Sequence, residues 1–418
     1  MSSRKSLYQL AKAAKLSQTE LSLIGTDKKN KILMAMAQSL RKNKKEILDA
    51  NAKDVRVAEK KGRSKAIIDR LVLNEKRIES MSSGLSEIAL LDDPIGHIED
   101  FNRRPNGLLI GKMKVPIGLV CIIYEARPNV TADCIGLCLK SGNGLILRGG
   151  SEAINSNIRI YSALNGAGIK NGLPKDSIKL IMDTDRKAVD ILLGMSGIID
   201  VVIPRGGESL IKEVVKKAKV PVIKHYKGVC HVYVDENADL NMAENIVFNS
   251  KVQRPGVCNA LETLLVHRDV AARFLPSMVR RLRSVGVEIR GDSFTRKVIK
   301  NAKPAVEKDW YEEYLDLILS VKVVKSLEEA MAHIRRYGSM HSDAIVTENY
   351  DIGMRFIREV DSACVYINAS TRFTDGYQFG KGAEIGISTD KIHARGPMGI
   401  RELTSYKYVI FGNGQIRN

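Results

Sequence analysis

Gly118-Leu-Val-Cys-Ile-Ile-Tyr124 is a continuous apolar run, followed by a helix-like segment from Val130 to Lys140 and a second strand-like run, Gly144-Leu-Ile-Leu147. Continuous rather than alternating apolar strands, separated by helices, predict a parallel sheet covered on both faces. The pattern continues with a helix from Ser151 to about Gly166, strands at Ile178 to Met182 and Ile199 to Ile203, a helix from Glu208 to Lys217 and a strand at Val220 to Lys224. Such a series describes a doubly wound domain of the nucleotide-binding type.

Working outward toward the C-terminus, a second series begins near Val232-Tyr-Val234. It runs through a helix from Asn237 to Ser250, a strand from Leu261 to Val266, a helix from Val270 to Val285 and a strand from Leu315 to Val324. A helix from Leu327 to Tyr337, a strand from Ala344 to Thr347, a helix from Ile352 to Val360 and a strand from Cys364 to Ile367 complete it. Two doubly wound α/β domains therefore meet near residue 230. Toward the N-terminus, residues 1 to about 90 are expected to be helical: Ile32, Leu33, Met36, Ala37 and Leu40 form one buried stripe, with Thr26-Asp27 as its N-terminal cap. Two pieces fit neither series. Asn106 to Lys114 suggests a hairpin, and the glycine-rich tail beyond Asn368 ends in a strand-like Ser405 to Phe411; both suit a small β element used in oligomerisation.

A chain of 418 residues exceeds what one core normally supports. No apolar run approaches the roughly 18 residues of a membrane span, and Met1-Ser-Ser-Arg-Lys-Ser-Leu7 lacks the apolar core of a secretory signal, so a soluble cytoplasmic protein with no membrane partner is expected. The net charge of +18 comes from 66 Lys and Arg against 48 Asp and Glu. These basic residues are dispersed along amphipathic segments such as Lys28-Lys-Asn-Lys31 and Arg41-Lys-Asn-Lys-Lys45. With aromatics at only 5%, this argues against a nucleic-acid partner and leaves some positive field for an anionic substrate or cofactor. The six cysteines include no C-x-x-C pair, and Cys134 and Cys138 have no histidine nearby in sequence, so neither a disulfide framework nor a metal site is expected.

Five cysteines lie inside apolar runs. The sixth, Cys258, follows a Pro-Gly pair in Asn249-Ser-Lys-Val-Gln-Arg-Pro-Gly-Val-Cys258-Asn-Ala-Leu-Glu-Thr263, where it is either a free loop thiol or an exposed nucleophile, with Arg254 four residues before it. No G-x-G-x-x-G is present. Instead, Leu147-Arg-Gly-Gly-Ser151 and Pro204-Arg-Gly-Gly-Glu-Ser209 each end a strand and open a helix, and two such turns in one sheet favour nucleotide binding through Arg148, Ser151, Gly206 and Gly207. Asn129, after Pro128 at the end of the first sheet strand, is either a turn residue or a side-chain donor to an oxyanion.

Longer motifs carry a resemblance. Val115-Pro-Ile-Gly-Leu-Val120, Tyr124-Glu-Ala-Arg-Pro-Asn-Val-Thr131, Leu139-Lys-Ser-Gly-Asn143, Leu147-Arg-Gly-Gly-Ser-Glu-Ala153, Gln253-Arg-Pro-Gly-Val-Cys-Asn259 and Ile392-His-Ala-Arg-Gly-Pro397 occur in order across nearly the whole chain. Together they resemble the γ-glutamyl phosphate reductase (glutamate-5-semialdehyde dehydrogenase) family of the aldehyde dehydrogenase superfamily.

The resemblance implies an aldehyde dehydrogenase-like fold. Residues 1–102 and 115–229 would bind cofactor, 230–368 would be catalytic, and 103–114 with 369–418 would form the oligomerisation element. It also implies Cys258 as nucleophile, with Asn129 and the Cys258 backbone N–H as oxyanion hole. Arg148 and Ser151 would favour NADPH over NADH, and Glu313, beside Glu312, would hold the nicotinamide ribose. Arg254, Arg372, His393 and Arg395 are candidates for the substrate's phosphate and α-carboxylate; which meets which stays open, and Arg372 is equally an ion-pair partner. His225, in His225-Tyr-Lys-Gly228, stands where hydrolytic relatives keep a water-activating glutamate. The implied reaction is NADPH-dependent reduction of L-glutamyl 5-phosphate in proline biosynthesis, by a homodimer or higher homo-oligomer functionally coupled to glutamate 5-kinase. The alternatives are a CoA-acylating aldehyde dehydrogenase and a basic nucleic-acid-binding protein on a degenerate dehydrogenase scaffold.

Overall fold

Strands Leu119–Tyr124 and Gly144–Gly149 are buried at every position, which explains why their sequences carry no polar alternation: helices cover both of their faces. They belong to an all-parallel four-stranded sheet in the order Ile178–Leu180, Gly144–Gly149, Leu119–Tyr124, Val201–Arg205. The structure is a computed structural model that describes residues 4–417, apart from the side chains of Lys65 and Ala66. The chain divides into two compact units: Met1–Lys224 with Gly380–Gly386 and Met398–Asn418, and His225–Phe379 with Ile387–Pro397. The tail beyond 368, expected as one appendage, is thus shared between the two.

In the first unit, one face of the sheet packs Leu119, Cys121, Ile123 and Ile146 against Leu7, Ala11 and Ala14 of helix Arg4–Ser22 and Leu192 of helix Arg186–Leu193. The other face carries helices Asn129–Lys140 and Ile154–Lys170. Gly136 lets helix Asn129–Lys140 approach the N-terminal helices, since a Cβ there would stand 2.7 Å from Leu85. Helix Thr26–Lys42 buries Ile32, Leu33, Met36, Ala37 and Leu40 as its spacing predicts, but its cap is Gly25; Thr26 is the first helical residue, and its hydroxyl donates to Asp93 instead.

Two other expectations change. Val220 to Lys224 reduces to a single parallel bridge, Val202 to Val222, because Pro221 has no N–H to offer a ladder. The hairpin is longer than expected: Ile98–Arg103 pairs with Leu109–Pro116, and Thr404–Phe411 adds a third antiparallel strand. Its first arm is exposed at five of six positions, so it had no apolar signal to read.

The second unit is built on seven parallel strands in the order Lys303–Pro304, Glu288–Gly291, Ile318–Val324, Leu261–His267, Cys230–Val234, Ser342–Val346, Cys364–Ile367. Helix Arg268–Arg283 packs Phe274, Leu275, Met278 and Leu282 onto one face, and helix Leu327–Tyr337 packs Ala330, Met331 and Ile334 onto the other. Helix Leu240–Val252 begins three residues after the expected Asn237 because the Asp239 side chain caps the Asn241 and Met242 amides. Both units have a doubly wound parallel α/β architecture. Among the described residues, no helix is long and apolar enough to cross a membrane.

Candidate active site

The Cys258 loop joins helix Leu240–Val252 to strand Leu261–His267, at the edge of the second unit's sheet where its strands begin. Of the six cysteines five are buried, and Cys258 alone is partly exposed. Its backbone is clamped from two sides. Gly228, just before strand Cys230–Val234, lies so close that a Cβ would stand 1.7 Å from the Cys258 carbonyl oxygen. The Gly228 N–H donates to Glu313 Oε1 at 2.9 Å, and the Cys230 thiol donates to the Cys258 carbonyl at 3.2 Å.

From the other side comes the segment around residues 370–374. Asn259 Nδ2 donates to the Thr374 carbonyl at 2.8 Å, the Thr371 hydroxyl donates to the Asn259 carbonyl at 2.7 Å, and Arg372 donates to Asn259 Oδ1. Arg372 Nε also donates to Gln253 Oε1 at 2.8 Å, so this guanidinium ties both ends of the loop together. Burial lowers the Arg372 pKa, Arg254 adds to the shift, and Cys258 and Asp375 oppose it. A cation therefore stands within electrostatic reach of the thiol.

Beneath the loop, Lys251 Nζ and Glu262 Oε2 form a fully buried pair at 2.7 Å, and Glu262 Oε1 accepts the Leu315 N–H at 3.2 Å. Burial pushes the Glu262 carboxyl up and the Lys251 ammonium down, each opposed by the other's charge. Sequence reasoning missed this pair. The signal available was a carboxylate inside the apolar strand Leu261–His267.

The remaining candidates of the second unit divide. Arg395 is engaged by Asp361, through Nη1 to Oδ1 at 2.7 Å and Nη2 to its carbonyl at 2.9 Å. Arg254 and His393 are exposed. His225 is half-buried, with its ring edge-on to His341 at 5.7 Å. At the opposite edge of this sheet, a cavity of about 480 Å³ is lined by residues including Asp235, His267, Lys325 and Arg355. Glu236, His267 and Asp269 bring ligand atoms together there. Both His267 nitrogens are already engaged, one by the Lys325 carbonyl at 2.9 Å and the other by the Asp269 amide at 3.3 Å.

In the first unit, the chain leaves strand Leu119–Tyr124 to one side and returns on the other as Val201–Arg205. This creates a switch point at the carboxyl ends of the strands, the usual ligand crevice of such sheets. Asn129, Arg148, Ser151, Gly206 and Gly207 all lie at these strand ends. Arg148 is 8% exposed; its Nη2 donates to the Thr184 carbonyl at 2.6 Å, and its Nε is buried without a partner among the described residues. Ser151 is exposed at the start of a single 3₁₀ turn, Ser151–Ala153.

Two amides at these strand ends are taken by side chains. Gly207 N–H donates to Glu125 Oε2 at 3.1 Å, and Ala126 N–H donates to Glu152 Oε1 at 2.8 Å. These two glutamates, which sequence reasoning passed over, hold the turns in place. Asn129 is the exposed first residue of its helix, and its Nδ2 donates to Asp133 Oδ2 at 3.0 Å.

The aldehyde dehydrogenase family model matches residues 1–302. The chain is 57% identical to a γ-glutamyl phosphate reductase of Caldanaerobacter subterraneus subsp. tengcongensis, over 97% of this chain and 98% of that one. It is 56% identical to the one of Thermodesulfovibrio yellowstonii, over 97% of each. The crystal structure of the γ-glutamyl phosphate reductase of Thermotoga maritima is similar with a TM-score of 0.96 and 48% identity, covering 99% of this chain and 100% of that chain. An acetylating aldehyde dehydrogenase of Geobacillus thermoglucosidasius shares the fold, with a TM-score of 0.71 and 17% identity over 99% of this chain and 98% of that chain.

Proposed function

Because this chain belongs to the γ-glutamyl phosphate reductase family of the aldehyde dehydrogenase superfamily, we propose that it reduces L-glutamyl 5-phosphate to L-glutamate 5-semialdehyde and phosphate, using NADPH and a Cys258 thioester, in proline biosynthesis. The observation that carries this reading is the clamped, partly exposed Cys258, the only cysteine of six that is not buried. Its thiolate attacks the acyl carbon of the substrate, the carbon–oxygen bond to phosphate breaks, and phosphate leaves. The oxyanion of that step is assigned to the Asn129 carboxamide and the Cys258 N–H. Reduced nicotinamide, when bound, supplies the hydride that the thioester carbon accepts. Cys258 then departs as thiolate and the semialdehyde is released.

The residues suit the cofactor. Arg148 holds one carbonyl firmly and keeps a buried Nε without a partner among the described residues, and a phosphate oxygen beside it would satisfy that donor; with the Ser151 hydroxyl, this supports binding of the 2'-phosphate. Gly206 and Gly207 shape the neighbouring turn. One Glu313 oxygen takes the Gly228 amide, so the carboxylate assigned to the nicotinamide ribose is the same one that braces the Cys258 loop.

Among the cations, the contacts of Arg372 support a role in fixing the loop, and those of Arg395 a role in holding Asp361. Arg254 and His393, both exposed, stand with them as candidates for the substrate's phosphate and α-carboxylate. With His225 in place of a water-activating glutamate, the thioester is left for phosphate to resolve in the reverse direction. The reading extends to a cytoplasmic homo-oligomer coupled to glutamate 5-kinase. Tyr406, Tyr408, Ile410 and Phe411 are exposed on the outer strand Thr404–Phe411, which supports that strand as the oligomerisation surface. The test is semialdehyde-dependent NADP reduction by the intact chain: Cys258→Ala is expected to abolish it, and activity surviving that substitution would refute the nucleophile.

A further inference from the structure

Asn129 and Asp133 are one helical turn apart, and the amide-to-carboxylate hydrogen bond between them is 3.0 Å long. Such pairs on a free helix surface contribute only a few tenths of a kcal/mol. This one is not on a free surface. Asp133 is half-buried, and the charged groups facing it come from two other elements: Arg205 at the end of strand Val201–Arg205, and Glu384 in the segment Gly380–Gly386. Cys134 neighbours it on its own helix. Arg205 is itself packed against that segment, with its Nη1 only 3.0 Å from where a Gly386 Cβ would be. The carboxylate therefore sits in an electrostatic environment set by other elements of the fold.

An asparagine carboxamide has two N–H donors and a broad preference about its last torsion. Left alone at the exposed start of a helix, it would sample many directions. We propose that Asp133 is the positioning residue for Asn129: its carboxylate captures one amide N–H and so fixes the direction of the other, the donor assigned above to the developing oxyanion. This rests on the reading of Asn129 given under the proposed function. Asp133 touches neither substrate nor cofactor in this scheme; it acts only through Asn129.

The protonation state of Asp133 then matters. Burial pushes its carboxyl up to about 6, Glu384 adds to this, and the Asn129 amide and Arg205 oppose it. Above that pH the carboxylate only accepts hydrogen bonds and keeps the amide N–H turned toward itself. Below it, the protonated acid becomes a donor, the Asn129 oxygen becomes its natural partner, and the amide is free to turn over.

The experiment measures kcat and KM for phosphate-dependent semialdehyde oxidation between pH 5 and pH 8 in the intact chain, with Asn129→Ala, Asp133→Ala, Asp133→Asn and the Asn129→Ala/Asp133→Ala pair. Asp133→Ala is expected to lower kcat by roughly tenfold or more while KM changes little, since the donor acts in the transition state. Asp133→Asn, whose oxygen still accepts the amide N–H, is expected to keep most of kcat and to lose the acid limb near pH 6. In the Asn129→Ala background, removing Asp133 is expected to cost nothing further.

The proposal is overturned if Asp133→Ala leaves kcat unchanged while Asn129→Ala lowers it by about 100-fold, or if the two losses add independently. An acid limb that persists unaltered in Asp133→Asn also overturns it, and that measurement stands even if Asp133→Ala does not fold. If Asn129→Ala itself has no effect, the oxyanion assignment fails instead.

Discussion

Gly228 and Cys258 are in direct backbone contact: the position a Gly228 Cβ would occupy is 1.7 Å from the Cys258 carbonyl oxygen and 2.7 Å from its Cα. No side chain fits between them, so any residue larger than glycine must displace the cysteine loop. Gly228→Ala is expected to lower kcat by about 100-fold, because a shift of about 1 Å at a reacting group costs that much. Steady-state kinetics alongside circular dichroism check this; full activity in a folded Gly228→Ala protein contradicts it.

The Lys251–Glu262 pair supports the same loop from beneath. Removing one partner leaves a buried charge without compensation, so Lys251→Met is expected to destabilise the protein by about 3–5 kcal/mol. Replacing both, Lys251→Met with Glu262→Leu, is expected to recover most of that loss. Urea unfolding of the single and double variants measures the difference, and equal losses in the two would show that the pair carries no such penalty.

His333 is expected to govern part of the acid sensitivity of the fold. It is 3% exposed, both ring nitrogens lack partners among the described residues, and burial lowers its pKa from 6.5 to about 2, with His231, Lys322 and Arg336 acting in the same direction. Above 6.5 the ring is neutral in both folded and unfolded chains and its contribution is fully present. As pH falls below 6.5 the unfolded chain takes up a proton that the folded one refuses, so stability is lost at up to about 1.4 kcal/mol per pH unit toward the folded value. His333→Phe, which keeps an aromatic ring against Trp310 and Tyr337, is expected to flatten this slope between pH 6.5 and 4.5. An unchanged slope in thermal or urea unfolding would show that His333 does not govern acid sensitivity.

Arg148 is expected to set cofactor preference. Losing a charge-assisted contact to the 2'-phosphate costs about 10- to 100-fold in kcat/KM, so Arg148→Ala should lose that factor with NADP and little with NAD. Equal efficiency of the unaltered protein with both cofactors contradicts the assignment.

What could be read from the sequence follows burial. Strand Leu119–Tyr124 and helix Leu327–Tyr337 were legible because long apolar runs and apolar spacing report which faces are covered. The first hairpin arm, Ile98–Arg103, was not, because its exposed positions carry no such constraint. At the candidate site, Cys258 was conspicuous through its Pro-Gly neighbours, and Asn129 through the strand end before it. The groups that orient them were hidden. Glu125, Glu152 and Asp133 look like ordinary surface carboxylates in a linear sequence, and only the fold brings them to turn amides and a carboxamide; Glu262 stands out inside an apolar strand, but its partner Lys251 does not.

In the proposed reaction a Cys258 acyl thioester is resolved by phosphate rather than water. The most direct measurement is the rate of NADP reduction from L-glutamate 5-semialdehyde at saturating cofactor, with phosphate titrated from zero. Saturable dependence on phosphate is expected, with negligible turnover without it and glutamyl 5-phosphate as product. Turnover that proceeds at full rate without phosphate and yields glutamate would contradict it.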